Sequence, residues 1–69
     1  MEMISSSRNL ANVGLSRDEI VVLHAALNEI CNGIDVFEFD TRIGVNLEFA
    51  TNLLHALGSV LNGMDHLSG

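Results

Sequence analysis

The chain has 69 residues, 48% of them hydrophobic, and a formal net charge of −6. That length holds one domain with a thin core, while 27 Ile, Leu, Val, Phe and Met residues exclude a disordered chain. Nine acids stand against three arginines and no lysine, a balance that repels nucleic-acid phosphates and anionic lipid and favours either a basic partner or, more commonly, simple solubility.

Residues 1–9 are polar and Ser-rich. Ser5, Ser6 and Ser7 could cap a short helix running to Val13 and stopped by Gly14; the alternative is a frayed tail over 1–15. The first clear helix is predicted over 17–32. Ser16 is its N-cap and Glu19, three residues on, completes a capping box. Asp18 and Glu19 add negative charge at the positive end of the helix dipole, and Leu15 before the cap is placed to pack on Ile20. Ile20, Leu23, Leu27 and Ile30 recur at helical spacing, with Val22 and Ala26 widening that face. Arg17, His24 and Asn28 are read as the opposite, solvent side. Gly33 reads as a left-handed stop with Ile34 folding back on the helix end.

Asp35 reads as the cap of a second, shorter helix, with Glu38 as its reciprocal partner and Gly44 as its stop. Asn46 then caps a third helix, predicted from Leu47 to about Asn62. Phe49, Ala50, Leu53, Leu54, Leu57, Val60 and Leu61 give it a broad apolar arc. Gly58 allows a neighbouring backbone to approach closely, and Gly63 reads as the stop before a tail over 64–69. The end of this helix echoes the end of the first at a spacing of 30: Leu23, Ala26, Leu27, Asn32, Gly33 and Asp35 match Leu53, Ala56, Leu57, Asn62, Gly63 and Asp65. Two amphipathic helices with similar ends would give that match, and so would a duplicated helix hairpin.

Residues 36–55 resemble the helix-turn-helix unit of small DNA-binding domains. Gly44 stands at the ninth position, and Phe39, Ile43, Val45, Ala50 and Leu53 fill the apolar positions. A short helix must turn sharply and lay its apolar side on the next one, which is what this pattern encodes. Asp40 departs from it, standing where a small residue lets the two helices touch. The resemblance implies a second helix that offers Asn46, Leu47, Glu48, Thr51, Asn52 and His55 to the major groove. Asn and Thr can read bases. Phosphate contacts, however, need Lys or Arg, and no basic residue follows Arg42. Nucleic-acid binding is therefore the second choice.

Chemistry-bearing residues are few. His24, His55, His66 and Cys31 have no zinc-ligand spacing, and Cys31 reads as an inert thiol near the apolar face. Phosphate loops and nucleophile elbows are absent, so neither an enzyme nor a cofactor is expected. One cysteine permits no internal disulfide and fits a reducing, cytoplasmic setting. No signal peptide is visible, and the longest apolar run, Ile20 to Leu23, is too short for a membrane span.

The sequence thus predicts an all-α, three-helix domain over 1–69, two long helices flanking a short one, with a possible extra N-terminal helix. The expected function is non-enzymatic protein binding, of the kind performed by small acidic inhibitors, immunity proteins or phage-encoded blockers. The alternatives are a helix-turn-helix regulator and a structural homodimerisation module. The expected partner is a protein with a basic surface, together with a second copy of the chain in a dimer. The acidic short helix supplies Asp35, Phe37, Glu38 and Asp40 as candidate contacts. Phe37 and Phe39 lie two apart on a helix, so at least one sits near the surface. Glu48, Asn52 and His55 on the third helix complete the candidate set.

Overall fold

The structure, a computed structural model, describes residues 1–67 of the chain. It is not all-α. Two short strands, β1 (Glu2–Ser6) and β2 (Ala11–Gly14), precede three helices: α1 (Arg17–Asn28), α2 (Phe39–Ile43) and α3 (Leu47–Leu67). The N-terminal segment expected as a tail or helix is an antiparallel hairpin. Its turn is closed by Ser7, whose N–H donates to the Leu10 carbonyl at 2.7 Å and whose hydroxyl accepts from the Leu10 N–H at 3.2 Å. The serines that looked like helix caps serve the hairpin, because Asn12 reaches across the strands and donates to the Ser5 hydroxyl at 2.8 Å. Met3 pairs with Val13 and Ser5 with Asn12, so Ile4 is an extra residue that bulges β1.

The cap of α1 forms as its sequence dictates. The Glu19 N–H donates to the Ser16 hydroxyl at 3.1 Å, and the Ser16 N–H donates to the Glu19 carboxylate at 2.9 Å. The other end departs from expectation. The last turn, Glu29–Gly33, widens to π-helical spacing, and the Ile34 N–H donates to the Glu29 carbonyl at 2.9 Å. Gly33 is not left-handed; Gly44 is the only glycine with positive φ among the described residues. The wide turn satisfies the end carbonyl by an i→i+5 bond, so a left-handed residue is unnecessary. A side chain at Gly33 would collide with the Glu29 carboxylate folded over it.

Asp35 caps nothing. α2 starts four residues later, behind Glu38, which takes the left-handed conformation (φ 53°) and makes no side-chain cap bond. Gly44, at φ 98°, does end α2 as the sequence implies. Asn46 caps α3, accepting from the Phe49 N–H at 2.8 Å. Gly63 does not stop α3, which continues to Leu67, so the tail expected over 64–69 is helix as far as the structure describes it; residues 68–69 lie outside the described residues. Gly63 keeps helical backbone, and a glycine inside a regular helix costs about 1 kcal/mol without ending it.

α1 and α3 pack antiparallel as one layer. Arg17 at the start of α1 donates to the Asp65 carboxylate near the end of α3 at 2.7 and 3.2 Å, and Gly58 lies against His24 midway along both helices. That register sets the stripe Ile20, His24, Leu27, Cys31 opposite the stripe Ala50, Leu54, Leu57, Leu61. His24, expected on the solvent side, is half-buried at this interface. α2 lies apart, with little of the packing onto α3 that a helix-turn-helix unit has. With five residues and Asp40 at the contact position, it has no small apolar face to offer. Among the described residues the buried core is Ile20, Ala50 and Leu54.

Candidate functional site

The seven residues picked from sequence fall into two groups. Asp35, Phe37, Glu38 and Asp40 lie along the connection into α2 and on its first turn, all exposed, with Phe37 78% accessible beside three acids. Phe39 is half-buried. Glu38 holds a left-handed backbone that costs a non-glycine residue about 1 kcal/mol. Glu48, Asn52 and His55 line the exposed polar side of α3, and Glu48 and Asn52 flank a shallow recess with Asn46 and Phe49. α2 does not pack closely on α3, so the two groups are not joined through that helix pair.

A larger surface escaped the sequence reading. α3 carries two apolar stripes, each with the alternating four-and-three spacing of a helix seam. Ala50, Leu54, Leu57, Leu61 and Met64 face α1. Phe49, Leu53, Ala56 and Val60 lie one position earlier along the helix and stay exposed: Phe49 is 59% accessible, Leu53 44% and Val60 49%. α1 repeats the arrangement. Leu23, Ala26 and Ile30 precede the inner residues His24, Leu27 and Cys31 by one position, and Leu23 and Ala26 are exposed. Because the two helices run antiparallel, the same one-residue offset turns both outer stripes to the same side of the layer. That side is broadly apolar. The other side carries Asn28, Asn32, Thr51, His55, Asn62 and Asp65.

The apolar side continues toward the hairpin as a recess lined by Met1, Asp18, Glu19, Val22 and Leu23. Glu19 is the one acid in the outer stripes. Its carboxylate pairs with the Met1 α-ammonium and accepts from the Ser16 N–H. The ammonium contact first, and the Ser16 bonds next, hold its pKa below the ordinary carboxylate value. The hairpin touches the helices little beyond this corner, and Met1, Met3, Ile4, Leu10 and Val13 are exposed.

The signal is present in the sequence as an apolar arc on α3 too wide for one neighbour; the sequence implies a dimer surface but does not place it on these residues. Among the described residues no three of His, Cys, Asp and Glu converge as a metal centre would require. Cys31 is half-buried and unpaired with another cysteine; the His66 side chain lies outside the described ones. Among the described residues no helix is long and apolar enough to cross a membrane. No protein-family model, curated protein or solved structure matches the chain.

Proposed function

We propose that this chain is a non-enzymatic protein-association module, working through the apolar side of its α1–α3 layer. One observation carries the reading. Four large hydrophobic residues of the outer stripes, Leu23, Phe49, Leu53 and Val60, stay exposed side by side on one face of the layer, while only Ile20, Ala50 and Leu54 are buried among the described residues. Scattered apolar residues on a surface are ordinary, but a continuous apolar side is characteristic of an interface. The exposed Phe37 beside Asp35, Glu38 and Asp40 supports a second contact toward a basic protein surface, since aromatic residues often anchor interfaces. Nucleic-acid binding gains nothing from the fold, because the outward side of α3 carries Glu48 and no cation.

The test is fluorescence of an apolar dye with the isolated chain. Dilute protein should bind the dye and release it as a protein partner is added or the chain is concentrated. A chain that binds no dye and stays monomeric to millimolar concentration overturns the reading.

A further inference from the structure

We infer that the occupant of the apolar side is a second copy of this chain, packed face to face so that two α1–α3 layers close into a four-helix bundle. This rests on the association reading above and names its partner. Area is the first argument. The chain exposes 5436 Å², whereas a folded monomer of this mass exposes about 4,250 Å² by the usual scaling of surface with size. The excess, about 1,200 Å² per chain and shared among the helical layer, the hairpin and α2, is of the size each subunit of an obligate dimer buries, since such interfaces total about 2,000 Å² or more.

Shape is the second argument. The radius of gyration is 13.7 Å against about 11 Å for a compact chain of this length. The molecule measures 40 × 31 × 16 Å. Sixteen ångströms is little more than one helix with its side chains, and a stable domain needs two packed layers. The chain supplies one.

Charge is the third. Two chains of net charge −6 can meet only where the acids are absent. Phe49, Leu53, Ala56 and Val60 on α3, with Leu23 and Ala26 on α1, form a side whose one acid, Glu19, is paired with the Met1 α-ammonium. Glu29, Glu48 and Asp65 fall outside the outer stripes, and Asp18 lies at their edge, lining the recess beside Glu19 at the hairpin end. A two-fold arrangement therefore buries no like-charged pair, and Ala56 is small enough to let the two α3 helices approach closely.

Sedimentation velocity on the whole chain tests this. The unmodified chain should sediment at twice its chain mass at micromolar concentration. Leu53→Asp should weaken the dimer at least 100-fold. Val21→Asp, the same change on the other side of α1, should leave it intact. A Leu53→Asp chain that still dimerises overturns the proposed face. A monomeric unmodified chain whose dye binding falls in Leu53→Asp overturns the second copy and leaves the association reading standing; a monomer with no dye binding overturns both. Should Leu53→Asp lose its helical circular dichroism, isotope-filtered NOEs in a mixed-labelled sample of unmodified chain decide. Contacts between the Leu53 and Val60 methyls of different chains support the inference, and intermolecular contacts confined to the hairpin overturn it.

Discussion

At the scale of single residues, Gly58 shows how the chain uses a helix-weakening position. A methyl group built there would meet the His24 ring at 3.4 Å, an ordinary contact distance. Glycine inside a helix costs about 1 kcal/mol relative to alanine. Gly58→Ala should therefore stabilise the chain by about 0.5–1 kcal/mol and raise its melting temperature by a few degrees. Gly58→Leu should do the opposite, because its side chain must displace the half-buried His24, and overpacking of this kind costs about 1–3 kcal/mol. Thermal melts of the two variants check both signs; equal destabilisation would mean that Gly58 is held by something other than the His24 contact. His24 itself was misplaced by sequence reasoning. A polar residue on an apolar helix was assigned to solvent, whereas the facing glycine makes room for its ring at the interface.

At the scale of elements, the legible features were those written locally. Ser16 with Glu19, Asn46 ahead of Phe49, and the left-handed Gly44 each depend on a few adjacent residues, and all three form. The hairpin was not legible. Its strands hold serine, alanine, asparagine and glycine in place of alternating branched residues, and its pairing is fixed by contacts five to twelve residues apart. The first helical stretch ends at Gly33 as expected, though through a wide turn and without a left-handed residue, whereas at Gly63 the same Asn-Gly pair sits inside a regular helix and ends nothing. The association face was visible only as surplus width, which sequence cannot divide between an inner and an outer neighbour. One joint between elements is open to test. The Glu19 carboxylate ties the hairpin's Met1 to the start of α1, and its pKa is lowered mainly by that ammonium. A lowered folded pKa gives stability that is fully present above the unfolded value and is lost as pH falls through the folded one. Hairpin amides should therefore lose protection, relative to their intrinsic exchange rates, once the pH drops below the ordinary carboxylate range, and Glu19→Gln should show that loss of protection at neutral pH. NMR titration of Glu19 at the ordinary carboxylate midpoint would show that the joint does not form.

At the scale of the whole molecule, charge and apolar area oppose each other, and salt separates their effects. Two chains of −6 repel as they approach, while the faces that meet are held by burial of uncharged surface, which simple salt does not weaken. The Debye length falls from about 10 Å at 0.1 M salt to about 3 Å at 1 M. Sodium chloride should thus remove the repulsion, leave the attraction, and tighten the dimer several-fold over that range. Folding is linked to pairing in a chain with so small a core, so the melting temperature should rise with both salt and chain concentration. A helix-turn-helix regulator would behave in the reverse way toward DNA, because its affinity comes from released counterions and falls steeply as salt is added. Sedimentation at 0.1 and 1 M sodium chloride, beside a mobility-shift titration at low salt, sets the two against each other. A dimer that dissociates at 1 M salt would mean that ion pairs hold it, and the uncharged face of α1 and α3 would then be the wrong surface.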